Sequence, residues 1–369
     1  MAEVTRPPSE LSGASGALVH RRRALPDRSP RAPRATEISP DERLVLFATA
    51  AHLSKDGDHW VVPVHGRIFQ PAHGRASKAA LSLALKGFGV RPDDVNRALF
   101  DERCALLLGD NCEGRHIVIT VAGTDHVLPA SGRDGQFRGE VMLPTAIAAT
   151  FGESGRLAIT ARLPALDDRH VGGYVMLMGP FGISIISDID DTVKVTHVCN
   201  CRRMMALTFL EPFEAVQGMA ARYRGWAAAG AAFHFISSSP WPLYEPLQAF
   251  LSQAGFPPAT ASLKNVSLRD RSIRNFLANS TRTKPPAIDA LFAAFPGRRF
   301  VLIGDDVEND ARIYADVVRR HPGRVACIFI RHTEGYPRSA GRAYRALIGV
   351  EPGLWQIFGD AAELPERLP

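Results

Sequence analysis

The pattern of hydrophobic and polar positions changes near residue 180. Ahead of that point come short β-rich runs, at Trp60 to Phe69, Arg103 to Leu108, His116 to Val121, Phe137 to Leu143, Leu157 to Leu163 and Tyr174 to Met178. Asp110-Asn111, Gly114 and Asp134-Gly135 supply turns between several of them. Ala76 to Lys86 has helical spacing instead. Ser39-Pro40-Asp41-Glu42, ahead of Leu44, Val45 and Phe47, reads as a helix start with Ser39 as cap. Residues 39–179 are therefore expected to form a β-rich domain, sandwich or barrel-like.

Beyond Pro180, apolar strands alternate with amphipathic helices, as in an open parallel α/β sheet. Strands are predicted at Ile183 to Ser187, Phe233 to Ile236, Phe300 to Ile303 and Val325 to Ile330. Helices are predicted near Val216 to Ala229, Leu243 to Ala254, Ala287 to Phe295 and Ala311 to Arg320. Residues 180–369 form the second predicted domain. The most apolar window, Val171 to Ser187, is interrupted by Gly172, Gly173, Gly179, Pro180 and Gly182, so it reads as two strands around a turn rather than a bilayer span.

Composition narrows the class. With 369 residues, 46% hydrophobic and 22% charged, the chain is neither disordered throughout, nor collagen, nor coiled coil. Lys+Arg 44 against Asp+Glu 38 gives +6, compatible with an anionic substrate or a membrane surface. Six arginines between Arg21 and Arg34, with Pro26, Pro30 and Pro33, predict a disordered tail over residues 1–38 that could touch anionic lipid. Five cysteines, an odd number, argue against a disulfide framework. A cytoplasmic protein, peripheral at membranes and without a nucleic-acid partner, is the expectation.

Three predicted strands end on polar clusters. The first runs Asp188-Ile189-Asp190-Asp191-Thr192, the second Ser237-Ser238-Ser239, the third Gly304-Asp305-Asp306 with Glu308 and Asp310 following. In a parallel sheet such ends share one edge, where ligands bind. Carboxylates crowded beyond an apolar strand repel one another and lose hydration, so a cation is implied. Oxygen-only ligation favours a hard ion, Mg²⁺, and Asp188, Asp190, Asp305 and Asp310 are the candidate metal residues, with Glu308 behind them.

Asp188, directly after its strand, suits a nucleophile that forms an aspartyl-phosphate, and Asp190 suits the acid and then the base. Ser237 is the candidate hydroxyl for a phosphate and Lys284 the candidate cation, preceding Pro285-Pro286 and a helix, with Arg282 as its substitute. Trp241 and Tyr244 read as packing rather than a lipid path. His197, Cys199 and Cys201 lack a fourth ligand at zinc spacing and read as part of a flap.

Ser187-Asp-Ile-Asp-Asp-Thr-Val-Lys194, Phe235-Ile-Ser-Ser-Ser-Pro-Trp-Pro-Leu-Tyr244, and Arg299-Phe-Val-Leu-Ile-Gly-Asp305 with Asp310-Ala-Arg-Ile-Tyr314 resemble the catalytic domain of actin-patch phosphatidate phosphatases, within the haloacid dehalogenase superfamily. The resemblance spans roughly Gly179 to Arg331. It implies a Rossmann-like haloacid dehalogenase fold and an Mg²⁺-dependent enzyme with an aspartyl nucleophile that acts on phosphatidate. Asp306 and Val307 stand where that family commonly has Ser and Gly, and Ser238 where Asn is expected. About 45 residues separate the first motif from the second, and a similar number separates the second from Lys284, a length that the α/β unit mostly consumes, so the site should be essentially uncapped.

The same chemistry on another ester, such as a lyso-lipid, sugar, nucleotide or protein phosphate, is the competing enzyme reading. A membrane or protein-binding module with a vestigial phosphatase half is the competing non-enzyme reading.

Overall fold

A computed structural model of the chain describes residues 35–93, 96–151, 155–265 and 283–369, all within the compact unit Arg34–Pro369. Most of the expected Arg/Pro-rich tail lies outside the described residues. Its end does not: Thr36 donates its N–H to the His116 carbonyl at 2.9 Å, and Ile38 is buried.

The first half comprises β1 (Arg43–Phe47), β2 (Thr49–Leu53), β3 (His59–Gln70), α1 (Arg75–Lys86), α2 (Arg97–Leu107), β4 (Asp110–Asn111), β5 (Val118–Val121), β6 (Thr124–Val127), β7 (Gln136–Pro144), α3 (Thr145–Phe151), β8 (Arg156–Ala161) and β9 (Gly172–Leu177). Its nine strands make one β-rich sheet, ordered β1-β3-β2-β9-β8-β5-β6, with β4 and β7 also on β3. Val62 and Val64 of β3, Phe137 and Val141 of β7, Ile119 and Val121 of β5, and Leu157 and Ile159 of β8 meet in one apolar core. Strands this far apart in the order share a core only because the sheet folds over on itself.

The second half comprises β10 (Ile183–Ser187), α4 (Cys201–Phe209), α5 (Met219–Ala228), β11 (Ala232–Pro240), α6 (Tyr244–Gln253), β12 (Thr260–Lys264), α7 (Lys284–Ala294), β13 (Arg299–Asp305), α8 (Asp310–Arg320), β14 (Val325–Arg331), α9 (Pro337–Leu347) and β15 (Trp355–Phe358). The six strands among the described residues are all parallel, ordered β12-β11-β10-β13-β14-β15. Neighbouring positions on each strand face opposite ways. Ile185, Phe233, Phe235, Val301 and Ile303 pack on the side of α5 and α6, whereas Ile186, Ile236, Phe300 and Leu302 pack on the side of α7, α8 and α9. The strand order reverses at β10, and the crevice there opens at the carboxyl ends.

The two sheets are joined through β1. Leu44 and Leu46 point into the folded β-rich core, while Val45 and Phe47 join the core beneath α6. Phe47 stacks on Trp241 at 4.1 Å and meets Tyr244 edge-on at 4.8 Å, and the Ala48 N–H donates to the Tyr244 hydroxyl at 2.8 Å. Trp241 and Tyr244 are thus packing residues.

Two expected elements differ. Arg103 to Leu108 is not a strand but the end of α2. Phe100, Cys104 and Leu107 form a helical stripe on the core, and buried Arg103 donates to the carbonyls of Leu207 and Thr208 at the end of α4. A short apolar run carries no period of its own, and packing decided it. Ser39 to Glu42 is a turn leading into β1, not a helix. Glu42 does reach back to the Ser39 N–H at 2.9 Å, as in a capped helix, but the following residues pair with β3.

Candidate active site

The site is assembled from the ends of β10, β11 and β13 and the starts of α7 and α8. Asp188 follows β10 and is 1% exposed; its N–H donates to the Ile303 carbonyl at 2.9 Å. Its carboxylate oxygens accept no hydrogen bond, and Lys284 forms an ion pair with it, Nζ lying 2.9 Å from Oδ1. Lys284 opens α7, with prolines completing the first turn. The same Nζ lies 2.9 Å from Glu308 Oε2 and 2.5 Å from Asp310 Oδ1.

Asp305 ends β13. Its Oδ1 accepts from the N–H groups of Val307 and Glu308, both at 2.6 Å, and its Oδ2 is buried without a partner. Asp310, the first residue of α8, accepts from the Asp305 N–H at 3.3 Å. It sits so close to the strand that a Cβ on Gly304 would lie 2.3 Å from its Oδ2.

Carboxylate oxygens of Asp188, Asp305, Glu308 and Asp310 lie within 4.8 Å of one another and could hold a metal ion. Four carboxylates face one ammonium. Burial, with mutual repulsion, pushes the Asp188, Asp305 and Glu308 carboxyls above their ordinary range. Burial alone would lower Lys284, but Asp188, Asp310 and Glu308 hold it well above the usual lysine value. Asp188 Oδ2 and Asp305 Oδ2, buried with neither a hydrogen bond nor an ion-pair contact, are what a hard cation would occupy.

Asp190 stands apart from this group. Its Oδ1 faces Lys194 Nζ at 2.8 Å and accepts from Thr196 at 2.9 Å, while Ser237 and Ser239 donate to its Oδ2 at 2.9 and 2.8 Å. Burial would raise its pKa, but Lys194 and these hydroxyls bring it down to about 2. With both oxygens engaged, the Asp190 carboxylate lies outside the group of side chains whose oxygens converge and could hold an ion. Glu308 lies within that group.

Other candidates sort by direction. Asp306 turns away from its neighbour Asp305 and binds His332 at 2.5 Å, Ser339 at 2.8 Å and the Thr333 N–H at 3.1 Å, tying β13 to the segment after β14. Asp191, in a left-handed conformation at φ 54°, accepts the N–H groups of Thr196, His197 and Val198 and so shapes the loop above the site. Ser237 spends its hydroxyl on Asp190, whereas the Ser238 hydroxyl is buried without a partner. Arg282 lies outside the described residues. His197, Cys199 and Cys201 border the site's entrance, but the one group among the described residues that could hold a metal is the acidic one.

A cavity of about 410 Å³ opens beside the cluster. Asp190, Lys194, Ser238, Ser239 and Glu308 form its polar end, and Met204, Phe213, Leu243 and Leu247 its apolar wall. Lys194 and Thr196 were not singled out from the sequence. Lys194 lies within the first motif, four residues after Asp190, but its role becomes visible only when the chain doubles back.

Fold and site together define an α/β protein whose switch point carries a carboxylate and lysine cluster able to hold a hard cation, next to an amphiphilic cavity. Residues 183–332 match the family described as "Phosphatidate phosphatase APP1, catalytic domain". An uncharacterised protein of Schizosaccharomyces pombe is 32% identical over 173 residues, 45% of this chain and 28% of that protein. "Phosphatidate phosphatase APP1" of Saccharomyces cerevisiae is 30% identical over 158 residues, 42% of this chain and 26% of that protein. The chain therefore spans little more than a quarter of the curated relatives it matches. The resemblance carried by the three motifs is borne out over this segment. No helix among the described residues is long and apolar enough to cross a membrane.

Proposed function

We propose that this protein is an Mg²⁺-dependent phosphatidate phosphatase that forms diacylglycerol and phosphate through an aspartyl-phosphate on Asp188. The observation that carries the reading is the contrast between the two aspartates: Asp188 is buried with no hydrogen-bond donor beyond Lys284, while Asp190 two residues on is fully engaged. A carboxylate with bare lone pairs is a competent nucleophile, and an oriented one is a competent proton carrier.

In the first step an Asp188 oxygen attacks phosphorus, the bond from phosphorus to the ester oxygen breaks, and the leaving alkoxide takes a proton from Asp190. In the second, water attacks the phosphorus of the acyl phosphate and gives its proton to Asp190, releasing inorganic phosphate and restoring Asp188. Lys194 and the hydroxyls hold the Asp190 pKa low in the free protein, so the proton it gives in the first step is one it takes from the arriving phosphate monoanion or from solvent as the phosphate's negative charge raises its proton affinity; the water of the second step returns that proton. Lys284 orients Asp188 and offsets charge on the phosphoryl oxygens. Ser238, with its unengaged hydroxyl at the cavity, supports a contact to substrate oxygen that Ser237 was expected to make. Bound at Asp188, Asp305, Glu308 and Asp310, Mg²⁺ would supply the positive charge that the transferred phosphoryl group needs.

The parallel sheet with its strand-end aspartates supports a haloacid dehalogenase fold. Between β10 and β11 the chain forms α4 and α5, whose buried faces join the core, which supports an essentially uncapped site. Residues 180–369 would be the phosphatase domain, and residues 39–179 a β-rich domain ahead of it. An apolar wall meeting a polar end favours an amphiphilic ester over a sugar or nucleotide phosphate.

The test is phosphate release from phosphatidate in mixed detergent micelles by the full chain, with Mg²⁺ or EDTA, beside soluble esters. Release that stops with EDTA and in Asp188→Asn is expected. Activity that survives Asp188→Asn, or a soluble ester preferred over phosphatidate in kcat/KM, would overturn the mechanism or the substrate respectively.

A further inference from the structure

Lys194 is 2% exposed, unusual for a lysine, and its backbone is pinned at both ends. Its N–H donates to the Ile189 carbonyl at 2.9 Å, and its own carbonyl accepts from the Asp191 N–H at 2.8 Å. The side chain folds back so that Nζ lies 2.8 Å from Asp190 Oδ1, donates to Thr196 Oγ1 at 2.5 Å and rests 5.0 Å from the centroid of the Phe213 ring. Unlike Lys284, it lines the cavity. Asp188 and Asp190 thus each face a buried lysine: Lys284, at the start of α7, for Asp188, and Lys194, from the same turn, for Asp190.

We propose that Lys194 is a positioning residue that aims the Asp190 carboxylate at the ester oxygen that leaves. The inference rests on the reading of Asp190 as proton carrier. With Ser237 and Ser239 on one oxygen and Lys194 and Thr196 on the other, the carboxylate plane is set from both sides. Removing Lys194 leaves Oδ1 with Thr196 alone, and the carboxylate loses its angle to the cavity. A misdirected proton carrier matters when the leaving group needs a proton and matters little when it does not.

The experiment compares an alkyl phosphate, dioctanoyl phosphatidate, with p-nitrophenyl phosphate, whose leaving group departs as the anion. Lys194→Met should lower kcat/KM on the alkyl ester about 100-fold and on the aryl ester less than about 5-fold. Lys194→Arg should recover part of the alkyl activity. In an Asp190→Asn background, Lys194→Met should change the alkyl rate by less than about 2-fold, because the lysine acts through the carboxylate. Equal losses on both esters, or losses that multiply across the pair, would overturn the proposal. Should Lys194→Met alone not fold, the charge-balanced pair measured against Asp190→Asn separates the same two outcomes. A parent enzyme inactive on both esters would overturn the phosphatase reading and this inference with it. Multiplying losses in a parent that Asp188→Asn inactivates would overturn this inference alone.

Discussion

Nζ of Lys284 lies 2.9 Å from Oδ1 of Asp188, and both side chains are 1% exposed. A buried pair of this kind contributes little net stability, yet breaking it is costly because a charge is left without its partner. Lys284 also faces Glu308 and Asp310, so its loss would remove the ammonium that three of the clustered carboxylates share.

Lys284→Met is therefore expected to destabilise the metal-free protein by about 3–5 kcal/mol. Urea unfolding in EDTA measures this directly. Adding Mg²⁺ should return part of the loss, since an ion replaces the missing charge. A midpoint unchanged in EDTA would show that the carboxylates are protonated or hydrated in a way that the observed pairing does not allow.

If Mg²⁺ occupies the cluster as proposed, it should stabilise the parent, because the unfolded chain has no such cluster. At a hundred times Kd the gain is about 2.7 kcal/mol. Thermal unfolding with Mg²⁺ or EDTA should show the rise in Tm, and Asp305→Asn or Asp310→Asn should diminish it. Asp306→Asn, whose side chain faces His332 and Ser339, should lower Tm yet leave the Mg²⁺ increment in place.

Gly304→Ala places a methyl group 2.3 Å from Asp310 Oδ2. The strand cannot yield easily, since β13 is paired on both sides, so Asp310 must move. A cost of about 1–3 kcal/mol is expected, together with weaker Mg²⁺ stabilisation. Titration calorimetry with Mg²⁺ would detect the second effect, and an affinity equal to the parent's would count against Asp310 as a ligand.

Acid sensitivity has a source away from the site. His234 on β11 is held neutral: burial, with Arg298 nearby, brings its pKa down to about 3, and it shares hydrogen bonds with Thr260 and Ser184. The unfolded chain takes up that proton near pH 6.5, so stability present above pH 6.5 is lost as pH falls toward 3, by about 1.4 kcal/mol per pH unit. His234→Gln should flatten the decline of the unfolding free energy, measured by urea titration between pH 6.5 and 5, by up to that slope. An unchanged slope would mean that the folded state binds the proton.

Much of the second half was legible because local pattern and global packing agree there. Strands with continuous apolar runs, such as Phe300 to Ile303 and Val325 to Ile330, are buried on both faces. Asp188, Asp305, Asp310 and Lys284 could be named because parallel strand ends meet at one edge whatever the details. The first half was less legible. Strand β1 alternates between two cores, so its apolar run Leu44 to Phe47 has no polar face, and α2 hides in a run too short to show a period.

Sequence by itself determined the alternation of strands and helices after residue 180 and the acidic strand ends, since these depend on neighbours along the chain. Tertiary structure alone decided which carboxylates converge. Adjacent residues on an extended chain point opposite ways, so Asp305 faces the cluster and Asp306 leaves it, while Glu308 swings in around the turn to join Asp188, 120 positions earlier in the chain. The contacts of Asp190 with Lys194 and the serines arose in the same way, from groups that only folding brings within hydrogen-bond reach.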